Sequence, residues 1–361
     1  MYSKSKIFIL ALLVLVCFSQ PLSYSQDFNT LYTKYKQKDF FRFRNELINY
    51  SADKQTWQKR YLEALSDCIF GKFESSVNNI SYIINNYSSE IPDSLLADLY
   101  YKKYYDHAFL HEYKKAYETA DILSSKYSKY LSQGDIEYLP EDIIMFKALK
   151  ETPPQKITKN GNLNLKIKKD IAGLWNLPIT INGADFEFVF DTGAEYSVIV
   201  ESVAKKLGLE ISDTYFKVGT ATNEKILSRV SAAKFVNIGN ITLENVVFYV
   251  MKDEDFTFGP YKIEGIIGSP IMIAFGEFRI TKDNDFIVPE VPGTNDTKNF
   301  AYTNYLPVIQ MIYMNDSLNF IFDSGNNNTG LYKPFFDKYN KFITDNYTLK
   351  KISVGGAGGI V

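Results

Sequence analysis

The sequence predicts a multidomain chain, with an α-helical N-terminal domain, an all-β barrel lobe, and the opening of a second lobe. Three observations predict it. Up to about Lys150, apolar residues recur at spacings of three and four, as in Tyr61, Leu65, Cys68 and Ile69. Beyond Glu151-Thr-Pro-Pro-Gln155 the period shortens to two, as in NLNLKIKK (162–169), LPITING (177–183) and FEFVF (186–190), with Gly and Asn between the runs. The stretch FEFVFDTGAEYSVI (186–199) then returns as LNFIFDSGNNNTGL (318–331).

At the N-terminus, Lys4 and Lys6 precede an apolar run over 7–18 that is short for a bilayer span, and Ser23-Tyr24-Ser25 supplies small residues before a cut. Residues 1–25 are therefore expected to be a secretory signal. The protein is expected to be exported, periplasmic or extracellular, with membrane contact only through that signal or an N-terminal tether. Cys17 follows Val16, which is larger than the small residue a lipoprotein signal normally has there. Signal removal leaves Cys68 alone, so no internal disulfide is expected. Lys and Arg total 40 against 42 Asp and Glu, and no basic field argues for nucleic acid. Two His and two Cys give no metal-ligand cluster, so neither metal nor cofactor is expected. His107 and His111 sit in a helical, Tyr-rich stretch away from any nucleophile-elbow pattern.

Within the helical domain, taken as residues 26–152, FGKFESSVNNI (70–80) is similar to LHEYKKAYETA (110–120). Phe73 meets Tyr113, Ser76 meets Ala116, and Ile80 meets Ala120. A small residue between larger ones suits closely packed helices. The period of about 40 resembles tetratricopeptide-like helical hairpins, and an ordinary bundle with a Tyr-rich core is the alternative. This domain is the expected contact for any protein partner. The period changes near 151–160, which places the first β lobe at 160–290 and the second at 300–361.

The repeated stretch aligns without a gap. Asp191 meets Asp323, Phe190 meets Phe322, Phe188 meets Phe320, Thr192 meets Ser324, Gly193 meets Gly325, and Ser197 meets Thr329. Upstream, Leu177-Pro178 aligns with Leu306-Pro307 if three residues are inserted. Downstream, Val218-Gly219 aligns with Val354-Gly355 with a similar insertion. Asp-Ser/Thr-Gly is also a common turn. Here each copy follows an alternating aromatic strand and precedes a matching hydroxyl and aliphatic residue.

These residues carry a resemblance. DTGAEYSVI, followed by AKKLGL (204–209), resembles the active-site segment of retropepsin-like and pepsin-like aspartic proteases. EGIIGSPIM (264–272) resembles that family's hydrophobic-hydrophobic-Gly loop, at Ile266, Ile267 and Gly268, with Ser269 as a helix cap and Pro270 in the first turn. The resemblance implies an acid-protease barrel lobe followed by an incomplete second lobe. It implies Asp191 and Asp323 as the catalytic pair. Thr192, Gly193, Ala194, Ser324 and Gly325 would support the two loops, with Thr192 and Ser324 bonded across the lobe interface. Flap hairpins are implied at 218–226, around Gly219 and Thr220, and at 354–359, around Gly355 and Gly356. The implied substrate is a peptide or protein. One carboxylate takes a proton from water while its protonated neighbour polarises the scissile carbonyl. Asn326 stands where the first copy has Ala194. A second hydrophobic-hydrophobic-Gly loop is not reached, so the chain is expected to be a fragment, with catalysis belonging to the longer parent. Two other readings remain open. One is a homodimer using Asp191 alone; the other is a non-catalytic peptide- or protein-binding envelope protein on the same fold.

Overall fold

The computed structural model describes residues 27–50, 56–220, 224–293, 298–348, 350, 355–356 and 359–360. The expected signal over 1–25 and Val354 of the second flap lie outside them. Among the described residues, seven α-helices precede the first strand: α1 (Phe28–Lys36), α2 (Phe40–Leu47), α3 (Trp57–Ile69), α4 (Phe73–Tyr87), α5 (Asp93–Phe109), α6 (Tyr113–Ile122) and α7 (Gln133–Leu149). None of the described helices is long and apolar enough to cross a membrane.

The chain separates into two compact units, Met1–Glu63 and Ala64–Val361. The change from helix to strand comes where the period changes, between Leu149 and Lys156, but the compact units divide inside α3. In the first unit, Asp27 caps α1 by accepting from the Thr30 amide at 2.7 Å. Phe28 stands edge-on to Trp57 and Tyr61.

In the second unit the similar helical segments take equivalent places. Phe73 and Tyr113 are the first residues of α4 and α6, and Phe73, Ser76, Ile80, Tyr113, Ala116 and Ala120 are all buried. Ser76 donates its hydroxyl to the Ala64 carbonyl at 3.0 Å, so a small polar residue is satisfied where backbones approach. Cys68 is a buried free thiol.

The strands begin with β1 (Lys156–Lys159), β2 (Leu163–Lys166), β3 (Lys168–Lys169), β4 (Trp175–Ile181), β5 (Ala184–Phe190) and β6 (Ser197–Val200). A short helix, α8 (Glu201–Lys206), leads to β7 (Phe216–Gly219), β8 (Lys225–Ile238), β9 (Ile241–Met251), β10 (Thr257–Phe258), β11 (Tyr261–Lys262) and β12 (Gly265–Ile267). Helix α9 (Ser269–Phe275) follows, then β13 (Arg279–Ile280) and β14 (Asp285–Val288). Strands β9, β6, β12, β5, β4 and β8 pair in that order and β8 returns to β9, which closes a ring. The alternating Phe186, Phe188 and Phe190 of β5 all point into its core.

The second lobe begins with β15 (Phe300–Thr303), β16 (Leu306–Tyr313) and β17 (Asp316–Ile321), an antiparallel meander, followed by α10 (Lys333–Asn346). A last hairpin joins β18 (Gly355–Gly356) to β19 (Gly359–Ile360). The register corrects one alignment. Leu177 faces Phe188 in the first lobe, and Ile309 faces Phe320 in the second. The counterpart of Leu177 is thus Ile309, at the same 132-residue offset that separates Thr192 from Ser324, and no insertion is needed. Both hairpins close on two-residue turns with positive φ at each position, Asn182 and Gly183 in one, Met314 and Asn315 in the other. Turns of that length set the register of the strands they join.

Candidate active site

Strand β5 ends at Phe190, and Asp191 opens the turn that follows. The Asp191 amide donates to the Ile267 carbonyl at 3.1 Å, and Ala194 N–H donates back to the Asp191 carbonyl at 3.2 Å. Parallel pairing sets Ile266 beside Val189 and Ile267 beside Phe190, so the Ile-Ile-Gly loop lies against the aspartate turn. Gly268 is glycine because a Cβ there would stand 2.4 Å from the Tyr196 carbonyl. Its amide donates to Ser197 Oγ at 3.1 Å. Ser269 is not the cap of α9 but its first residue, and Gly268 takes the cap position. The Ser269 hydroxyl instead donates to the Tyr305 carbonyl at 3.0 Å. Backbone crowding claims the cap position for glycine, and the serine ties the loop to the second lobe.

The second turn has the same form. Asn326 N–H donates to the Asp323 carbonyl, as Ala194 N–H does to that of Asp191, so replacing alanine by asparagine leaves the backbone turn unchanged. Four bonds then join the turns reciprocally. Thr192 N–H donates to Ser324 Oγ at 3.0 Å, and Ser324 N–H to Thr192 Oγ1 at 2.9 Å. Thr192 Oγ1 donates to the Phe322 carbonyl at 2.5 Å, and Ser324 Oγ to the Phe190 carbonyl at 2.7 Å. Each hydroxyl thus accepts one amide and donates to one carbonyl of the other turn.

This lock brings the carboxyls together. Gly193 N–H donates to Asp191 Oδ1 at 2.8 Å, and Gly325 N–H to Asp323 Oδ1 at 2.9 Å. Each carboxyl also lies against the opposite glycine. A Cβ on Gly325 would stand 2.3 Å from Asp191 Cγ, and one on Gly193 would stand 2.6 Å from Asp323 Oδ1. Side chains are excluded there by the facing carboxyl. Burial pushes the Asp191 pKa up to about 7. The charge of Asp323 and a hydrogen bond between the two carboxyls push the same way, while the Gly193 and Gly325 amides pull it down. The pair therefore holds a proton across much of the acidic range, as two groups titrating together do.

The first flap candidate is a hairpin, with Gly219 opposite Lys225 and Thr220 N–H donating to the Glu224 carbonyl at 3.0 Å. Gly355 and Gly356 of the second candidate pair with Ile360 and Gly359. Among the described residues, no group of three or more His, Cys, Asp or Glu is placed to hold a metal ion.

Three parts of the site gave no signal in the sequence. Tyr305, in the turn between β15 and β16, hydrogen-bonds Tyr196 through the two hydroxyls at 2.9 Å and packs on Phe109 of α5, with ring centroids 4.3 Å apart. Tyr196 stacks on Tyr249, which meets Phe216 at the base of the β7–β8 hairpin. The third is Asp142 of α7, which accepts from Tyr104 Oη at 3.1 Å. Burial first, and then the nearby Glu195 carboxylate, push its pKa up to about 8. Glu195 follows Ala194 on the active loop; solvent reaches it, yet desolvation holds its carboxyl above the usual range.

A closed barrel lobe whose aspartate turn rests on an Ile-Ile-Gly loop, locked to a second such turn, has the form of an acid-protease lobe. Residues 177–271 match the family model described as aspartyl protease. Among solved structures, the chain is similar to a retropepsin-like aspartic protease from Rickettsia conorii, at 20% identity and a TM-score of 0.27, over 38% of this chain and 94% of that one. It is also similar to the retroviral protease-like domain of Ddi1 from Leishmania major, at 16% identity and a TM-score of 0.20, over 30% of this chain and 82% of that one. No curated protein matches the chain.

Proposed function

We propose that this protein is an exported aspartic endopeptidase that hydrolyses peptide bonds with a water activated between Asp191 and Asp323. The observation that carries the reading is the reciprocal Thr192–Ser324 lock, which joins two like turns of one chain, with each carboxyl lying against the glycine of the opposite turn. The raised pKa of Asp191 supports a resting state with one proton for two carboxyls. The ionised carboxyl takes a proton from water, and the resulting oxygen nucleophile attacks the scissile carbonyl carbon. The protonated carboxyl donates to the carbonyl oxygen as charge develops there. Collapse of the tetrahedral intermediate breaks the C–N bond, and the leaving nitrogen takes a proton from the pair.

Mass-spectrometric detection of peptide products by the purified full-length protein tests this. Cleavage is expected from wild type and is expected to fall by about 10²–10⁴-fold in both Asp191→Asn and Asp323→Asn. Activity that survives Asp323→Ala but not Asp191→Ala would point to a homodimeric pair of Asp191 residues; the bonds within one chain favour the two-turn pair. Peptide binding without cleavage would point to a recognition module. Export rests on Lys4, Lys6 and the apolar run over 7–18. N-terminal sequencing of the secreted chain is expected to find Gln26 first.

A further inference from the structure

Helix α7 comes from the helical part of the chain, yet it touches the β7–β8 hairpin at three points. Strand β7 ends the path of the large sheet, and among the described residues no strand pairs with its outer edge. Glu141 Oε2 accepts the Lys217 amide of that strand at 2.7 Å. One turn earlier on the same helix, Glu137 Oε1 accepts from Lys225 Nζ of β8 at 2.5 Å, and that ammonium lies 4.5 Å from the centre of the Tyr138 ring. Tyr138 closes the third contact. A Cβ on Gly219 would stand 2.9 Å from its hydroxyl, while the backbone at Gly219 lies outside the left-handed region. The conformation of the chain does not require glycine at 219, and the nearest atom a Cβ there would meet is the hydroxyl end of the Tyr138 side chain. Asp142, further along the same helix, is buried, and the charge of Glu195, on the loop that carries Asp191, helps push its pKa up. One helix therefore bears on both strands of the hairpin.

We propose that α7 is a brace that positions the flap hairpin over the dyad, with Glu141 and Tyr138 as positioning residues for peptide cleavage. The role rests on the peptidase reading, in which the hairpin covers the substrate and excludes water. The contacts are few, polar and partly exposed. They hold the stem of the hairpin in register with the active loop without locking it in a core. This gives the helical part of the chain a direct hand in substrate binding, alongside any partner it engages.

Two readouts on the full chain test the brace. Hydrogen exchange at the amides of 216–219 and 225–228 reads the contact itself. Glu141→Ala and Tyr138→Ala are each expected to speed exchange there by about tenfold, since local opening governs those amides. Glu141→Gln keeps an oxygen acceptor for the Lys217 amide and is expected to stay near wild type. Peptide kinetics read the role: the alanine variants are expected to raise KM by about five- to tenfold with kcat changed less, and Glu141→Gln to restore KM. Unchanged exchange in both alanine variants overturns the brace. Faster exchange with unchanged or improved cleavage overturns the positioning role, because the helix would then idle or restrain. Failure of the full-length wild-type protein to cleave any peptide overturns the peptidase reading and the positioning role with it, while the exchange measurement still reports whether the brace exists.

Discussion

The two aspartate turns are nearly identical in sequence and hydrogen bonding, but their surroundings differ. The Asp191 turn rests on Ile266, Ile267 and Gly268 at the edge of a closed ring of strands, with Phe190 and Ile267 fully buried. The Asp323 turn ends a three-strand meander in which Ile321 and Phe322 are exposed. The lesson is a division of labour between local sequence and setting. Asp-Thr/Ser-Gly with a hydroxyl at its second position suffices to build the turn and the lock. The surroundings set the chemistry, and desolvation by burial is the largest influence on the Asp191 proton.

Several variants would break or sharpen that comparison, and the largest effect is expected at the glycines. Gly325→Ala drives a Cβ into the Asp191 carboxyl, and Gly193→Ala drives one into that of Asp323. Both should abolish detectable cleavage in a peptide assay; activity kept in either would show that the carboxyls do not sit against the opposite turn. The lock comes next. Thr192→Val and Ser324→Ala each remove a hydroxyl that donates once and accepts once, and leave amide and carbonyl groups of the facing turn unpaired. Each should lower stability by roughly 1–3 kcal/mol, read as a drop in Tm. Thr192, which is 1% exposed, should cost more than Ser324.

Cleavage should also depend on pH in a set direction. The proton on Asp191 is held up to about 7, so kcat/KM should be sustained below that pH and should fall as pH rises through it. A profile that climbs through neutral pH would contradict a shared-proton pair. The smallest effect lies away from the site, in the helical part. Asp106 of α5 is fully buried, and among the described residues neither carboxylate oxygen meets a partner at good hydrogen-bond geometry, although the neighbouring Ser76 hydroxyl and Cys68 thiol pull its pKa down. Burial pushes its pKa up to about 7. Between the ordinary value of 3.8 and about 7 the folded chain keeps a proton that the unfolded chain loses, so stability should decline as pH rises through that window. Asp106→Asn should flatten this decline and raise Tm above pH 7; an unaltered slope would place the dependence on other groups.

Much of the candidate site's geometry was legible in sequence because it is local. Asp191 and Asp323 each follow a strand whose alternation is plain, and Ile266-Ile267-Gly268 stands out as an apolar run ending in glycine. The errors arose where sequence offered a better-looking match than the geometry. Leu306-Pro307 looks like Leu177-Pro178, but a turn of Met314 and Asn315, without the usual Asn-Gly mark, sets the register three residues away. Ser269 looks like a helix cap, but crowding at Tyr196 reserves that position for Gly268. Tyr305, Asp142 and the contacts of α7 with the hairpin were not legible. They join residues far apart in the chain, and no periodicity or spacing records which tyrosine of many meets Tyr196, or which glutamate meets the Lys217 amide.

Peptide cleavage by this site needs Asp191 and Asp323 to share a proton, and carboxyl-carbon NMR titration of the aspartates measures this directly. Asp191 is predicted to titrate near 7 in wild type and at a lower pH in Asp323→Asn, where burial remains but the neighbouring charge is gone. An Asp191 signal that titrates near 3.8, or one that does not move when Asp323 is changed, would contradict it.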